Sequence, residues 1–308
     1  MRVAPRVLAA LGLTLAIAPS AHAAGFGGWD RAIDAETVPG TSDQLNTSYQ
    51  DGCPFQSPDG LSLYLASNRP RFAGDLRTDL DIWVAHRASP SDPWGPPENL
   101  GEPVNSASDD FCPTPVHGGG LFFVSRKVTP GVTCGMGDIY FARHNPRHGW
   151  RELQHLACGT EGGPNGPLDE QGPSYIEAGG PQLYFSSGPD IHVSRQGADG
   201  RFGPAVPVPE LNSPAADIQP NVRKDGLEVV FASMRKPQVG HDLWSATRES
   251  VDAPWSEPVN LGDEVNTPAN ETRPSLSWDG STLYFGRGPI GGPADIYITT
   301  RTRARGGS

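Results

Sequence analysis

Past its first two dozen residues the chain has no uninterrupted apolar stretch long enough to cross a bilayer, which excludes a helical membrane protein. Basic residues are scarce: 24 Lys and Arg stand against 35 Asp and Glu, a formal charge of −11. Such an acidic chain is a poor partner for nucleic acid or an anionic membrane surface. With 38 glycines and 32 prolines among 308 residues, long helices are disfavoured and turn-rich β structure is expected. Two hydrolase and nucleotide signatures are missing as well. No G-x-S-x-G nucleophile elbow exists. No glycine-rich phosphate loop follows a strand and opens a helix.

What is present begins with a leader. Arg2 and Arg6 precede an apolar run from Val7 to Ile17 and the small-residue site Ala21-His22-Ala23. This is the pattern of a secretory signal peptide over residues 1–23, leaving a mature domain at 24–308 with a charge of about −13. No cysteine follows the cleavage site, so a lipid anchor there is not expected. The mature protein is expected to be periplasmic or secreted and not membrane-spanning.

The rest of the chain is a repeat. The turns SPDG at 57–60, HGGG at 117–120, EAGG at 177–180, RKDG at 223–226 and SWDG at 277–280 each precede an apolar strand. The strands start at Leu63, Leu121, Leu183, Val229 and Leu283. A second strand opens on an aspartate (Asp81, Asp138, Asp190, Asp242 and Asp295), and a third is headed by Trp94, Trp150, Phe202 or Trp255. An asparagine follows, eight residues before a proline, as in Asn46/Pro54 and Asn105/Pro113. Proline suits the first position of a strand, where no ladder donor is needed. Each unit therefore reads as four strands, the size of a propeller blade, at about 53–105, 112–165, 172–212, 219–266 and 273–302. The last unit lacks its outer strand, and residues 28–46 supply one. The expected fold is all-β, a five-bladed β-propeller whose last blade is closed by the N-terminal strand.

The units SPDGLSLYLASNR…DLDIW and SWDGSTLYFGR…ADIY resemble the WD40-like (PD40) repeats of the TolB-like family across residues 29–302. The chain differs from TolB in counting five blades against six and in having no separate domain ahead of the repeats. The resemblance implies a non-enzymatic exported propeller, a binding or scaffold module whose partner is a protein, peptide or glycan of the cell envelope. At the level of the fold it also reaches five-bladed glycoside hydrolases, in which carboxylates at the channel mouth act as acid and base.

Five acids invite that second reading. Asp51, Asp110, Glu170, Asp217 and Glu271 each lie three residues before the blade's proline, a spacing that predicts a carboxylate ring at one mouth of the channel. Arg69, Arg126, Arg235 and Arg287 end the Leu-Tyr-Phe strands at the same face and are expected to pair with the ring between neighbouring blades. Blade three has Gly188 instead, so Glu170 or Asp217 is expected to lack a partner. A role repeated in every blade points to architecture, whereas acid–base catalysis needs two carboxylates in different environments. The expectation from sequence is therefore a binding protein, with a glycoside hydrolase as the alternative.

Four cysteines in an exported chain point to two disulfides. Of three possible pairings, Cys134–Cys158 with Cys53–Cys112 is preferred, although neighbouring inner strands strain the limit of about 7 Å between Cα atoms. A thiol metal site at Cys53 and Cys112 is the alternative. No cofactor is expected beyond a calcium ion at Asp75, Asp79 and Asp81, whose spacing does not fit an EF-hand loop. His144 and His148 have a helical metal spacing, but Pro146 and Gly149 predict a loop there.

Overall fold

In the computed structural model, described over residues 25–236 and 239–304, the repeats become five four-stranded antiparallel sheets set around one axis. The leader at 1–23 lies outside the described residues. A short β1 (Ile33–Asp34) precedes blade 1, which contains β2 (Asp51–Gln56), β3 (Ser62–Ser67), β4 (Asp81–His86) and β5 (Glu98–Asn99). Blade 2 contains β6 (Asp110–Val116), β7 (Gly120–Ser125), β8 (Asp138–Asn145) and β9 (Gly149–His155). Blade 3 is β10 (Glu170–Ile176), β11 (Gln182–Ser187), β12 (Asp190–Arg195) and β13 (Val206–Pro207). Blade 4 follows with β14 (Asp217–Val222), β15 (Glu228–Ser233), β16 (Asp242–Thr247) and β17 (Val259–Asn260). In blade 5, β18 (Asn270–Leu276), β19 (Thr282–Gly288) and β20 (Asp295–Thr300) are completed by β1, with Ile33 opposite Ile298. The N-terminal strand thus closes the ring.

Local chemistry explains each element. In the first turn Asp59 accepts from the Leu61 amide and the Ser57 hydroxyl, while Gly60 takes the left-handed conformation (φ 72°) that closes it. Ser277, Asp279 and Gly280 repeat the arrangement in blade 5. The second strands are the core: Leu63, Leu65, Phe123, Phe185, Phe231 and Phe285 are buried to within 1 %. Each such side chain contributes roughly 1.5–3 kcal/mol by leaving water.

Between blades, the aromatic of the outer segment packs on the preceding blade's second strand. Trp150 meets Tyr64 at 6.4 Å, Phe202 meets Phe122 at 5.7 Å and Trp255 meets Tyr184 at 6.3 Å, all edge-on. Trp94 joins the cluster containing Tyr284, and Trp29 packs beside the cluster containing Val230. Phe202 is the one place where the wedge is not a tryptophan, and a groove of about 900 Å³ runs along that seam between blades 2 and 3.

The repeated asparagine clamps the third strand of the blade it follows. Asn105 accepts the Ile82 amide at 2.8 Å and donates to the Ile82 carbonyl at 2.9 Å. Asn46, Asn165, Asn212 and Asn266 grip Ile296, Ile139, Ile191 and Leu243 in the same two-pronged way. Asn105→Ala leaves the buried Ile82 amide unpaired, while the Ile82 carbonyl keeps the Leu100 amide at 3.1 Å, so urea unfolding is expected to show a loss on the order of 1–3 kcal/mol. A change below about 0.5 kcal/mol would show the clamp to be dispensable.

Candidate functional site

Four of the five acids open an inner strand and Glu271 stands second in its own; all five are 0 % exposed. Four accept the backbone amide of the residue after the clamp asparagine: Thr47 to Asp51 at 2.6 Å, Ser106 to Asp110 at 2.5 Å, Gly166 to Glu170 at 3.1 Å and Ser213 to Asp217 at 2.6 Å. Glu271 accepts the Thr267 hydroxyl at 2.6 Å. The shared task is to hold the loop arriving from the previous blade.

Their counter-ions break the fivefold pattern. Arg69 reaches Asp51 at 2.5 Å, Arg235 reaches Asp217 at 3.3 Å and Arg287 reaches Glu271 at 2.8 Å. These pairs form within one blade, not between neighbours as expected, because antiparallel pairing brings the end of the second strand back beside the start of the first. Arg126 corrects the expectation further. Successive strand side chains alternate between faces. Ser67 and Ser233 lie opposite Asp51 and Asp217, and each arginine stands two residues on, returning to the acid's face. Ser125 lies opposite Asp110 and Arg126 only one residue on, so it leaves by the other face. There it bridges Asp109 at 2.9 Å and Asp169 at 2.7 Å, tying blade 2 to blade 3. Gly188 offers nothing to Glu170.

Asp110 and Glu170, in adjacent blades, are thus buried with no guanidinium beside them, and Asp110 Oδ1 and Glu170 Oε2 have no hydrogen-bond partner. Burial pushes Asp110 up to about 6 against the opposing hydrogen bond from the Ser106 amide. Burial pushes Glu170 up to about 8, with Asp138 and Asp169 adding to the effect and Ser187 and Gly166 opposing it. Burial also raises Glu271, but Thr267 and Arg287 hold it back.

Two residues past each acid the inner strand bulges into positive φ: Cys53 47°, Cys112 50°, Gly172 58°, Gln219 55° and Arg273 56°. The bulges turn these side chains toward the axis. That brings the Cα atoms of Cys53 and Cys112 to 4.8 Å, and the two are bridged, so the thiol metal site is excluded. Gly172 has to be glycine, since a Cβ would come within 2.7 Å of the Gln219 Cα. Together these residues and the prolines leave a channel cavity of about 20 Å³, room for about one water. The axis is plugged.

Cys134 and Cys158 form the second disulfide, Cα atoms 5.6 Å apart. Beside it His155 Nε2 lies 2.8 Å from Asp138 Oδ2, a contact the sequence reading missed because His155 has no counterpart in the other repeats. Cys134, Asp138 and His155 form a three-donor cluster, but the disulfide takes the thiolate away. In the loop read for calcium, Asp75 is paired with Arg71 and Asp79 with Arg77, and Asp81 lies 3.7 and 3.6 Å from those two guanidiniums. His148 lies in the turn between β8 and β9, as expected, whereas His144 belongs to β8 and packs on Trp150 at 5.1 Å.

No family model and no curated protein matches the chain. Among solved structures it is similar to a GH43 endo-arabinanase from Bacillus licheniformis, at 14% identity and a TM-score of 0.56 over 83% of this chain and 95% of that one. An exo-1,5-alpha-L-arabinanase from a bovine ruminal metagenomic library gives 10% identity and 0.55 over 85% and 96%. A protein described as a TolB from Agrobacterium tumefaciens gives 17% identity and 0.47 over 85% and 79%. The first two likenesses show the propeller fold. The two arabinanase likenesses also correct the expected non-enzymatic TolB-type module: that reading rested on fold-level analogy, and the five-bladed fold found at TM-scores above 0.5 is that of GH43 enzymes. Two disulfides fit an oxidising compartment, and among the described residues no helix is long and apolar enough to cross a membrane.

Proposed function

We propose that the chain is an exported glycoside hydrolase of the five-bladed type, built on PD40-like repeats, with Glu170 as general acid and Asp110 as its partner carboxylate. The observation that carries the reading is the break in symmetry. Three of five equivalent acids are neutralised by arginine, and the two that are not stand in adjacent blades with pKa values near 6 and 8. Between those values Glu170 holds a proton to give to the departing glycosidic oxygen. Asp110 is then charged, ready to act at the anomeric carbon or at its attacking water. Both are fully buried and hold the loops 106–109 and 166–169 through the Ser106 and Gly166 amides, so those loops must move for a sugar to reach them. The arabinanase neighbours make α-1,5-arabinan the first substrate to assay.

The test is hydrolysis of an arabinan and xylan panel by the mature protein. The rate is expected to peak between pH 6 and 8: below about 6 Asp110 is protonated, and above about 8 Glu170 has lost its proton. Glu170→Gln and Asp110→Asn are each expected to lower kcat at least 100-fold with the melting curve still cooperative. A panel with no turnover, or full activity in Glu170→Gln, would reject the assignment.

A further inference from the structure

Of the four side chains the bulges turn to the axis, one is charged, and it has no counter-ion. Arg273 is partly buried, and among the described residues no carboxylate lies within 4.0 Å of its guanidinium. Burial, with repulsion from Arg126, disfavours its charge. Its Nη1 and the Nε2 of Gln50 stand 3.4 and 3.6 Å from the point where a Cβ on Gly52 would lie. Gln50 Oε1 accepts the Ala294 amide at 3.2 Å, which leaves Nε2 buried with no acceptor. His241 Nε2 is buried without a partner as well, and its imidazole feels the charge of Arg273. Donors gather at this mouth and the acceptor is missing. Orphaned buried donors of this kind each cost on the order of 1–3 kcal/mol, so their grouping calls for a ligand that satisfies them.

We propose that the acid-side mouth of the channel binds a carboxylate, the charged group of an acidic saccharide, with Arg273 as its cation, Gln50 as a flanking donor and His241, in its Nε2–H tautomer, as a second. One planar guanidinium fork matches one carboxylate. A dianion such as phosphate would meet the five buried acids of the same face and a chain of charge −11. The carboxylate specificity stands on these donors alone; the saccharide part rests on the glycan reading above.

Titration calorimetry separates the two. Trigalacturonate is expected to bind at least tenfold tighter than neutral arabinotriose, with acetate competing at millimolar concentration. Arg273→Gln is expected to abolish the difference. That variant copies the glutamine already standing at the equivalent position 219 with φ 55°, so the backbone tolerates it. Arg273→Lys keeps the charge without the fork and is expected to retain binding weakened several-fold. Equal affinity for the two trisaccharides, or unchanged galacturonate binding in Arg273→Gln, would overturn the site. Carboxylate binding in a protein that hydrolyses no glycan would leave this site standing and reject the catalytic reading alone.

Discussion

Glu228→Ala is expected to be among the most damaging single substitutions, at about 3–5 kcal/mol. Glu228 opens β15 at 2 % exposure and accepts from Arg223 at 2.8 Å and from both arms of Arg301 at 2.7 and 2.6 Å. Both arginines are 5 % exposed. Arg301 is stacked between Phe26 and Trp29 at 4.1 and 4.2 Å, and Arg223 reaches over Phe26 at 5.2 Å. The carboxylate therefore fastens blade 4, blade 5 and the closing N-terminal segment at one point. Removing it leaves a void in which, among the described residues, buried Arg301 has no carboxylate and Arg223 keeps only Asp225 at 2.8 Å, which is the costly way to break a buried ion pair. Glu228→Gln keeps the shape and is expected to lose less. Guanidinium chloride unfolding checks both, and a loss below 1 kcal/mol for alanine would mean that solvent relieves the arginines.

The propeller was legible in the sequence because its markers are architectural. The asparagine clamp, the turn glycine and the proline after the bulge do the same work in every blade, so the period survives wide variation elsewhere. The acids could be found for the same reason. Their pairing was misread at Arg126, although the signal was there: from the first residue of its strand the arginine stands at +6 in blades 1 and 4, +4 in blade 5 and +5 in blade 2. An odd offset exits by the opposite face. A repeat alignment hides that parity, and with it the solitude of Asp110. Arg273 and His155 were out of reach for another reason. Neither has a counterpart of the same type in the other blades, and Arg273 reaches the axis only because the bulge inverts the backbone. Gln50 and His241 meet it from blades 1 and 4, which only the closed ring brings together.

The second large effect is expected at Glu170, and it runs opposite to the first. Its folded-state pKa of about 8 lies above the ordinary 4.5, so the folded protein holds that proton more tightly than the unfolded chain. The stability linked to Glu170 is therefore complete below pH 4.5 and is lost as pH rises through about 8. Asp110 adds a smaller loss between 3.8 and about 6. In Glu170→Gln the larger penalty disappears. The variant is expected to match the parent near pH 4.5 and to exceed it by roughly 5 kcal/mol at pH 9, at 1.36 kcal/mol per pKa unit. Asp217→Asn is the control, because it withdraws the charge that Arg235 relies on and is expected to destabilise at pH 9. Denaturant midpoints for the three proteins at pH 4.5, 7 and 9 decide the matter. If Glu170→Gln is weaker than the parent at every pH, Glu170 is an ionised structural anion like its Arg-paired counterparts, and the acid–base reading falls with it. If it gains stability while losing hydrolysis, the buried carboxyl is kept at a cost to the fold that only function explains.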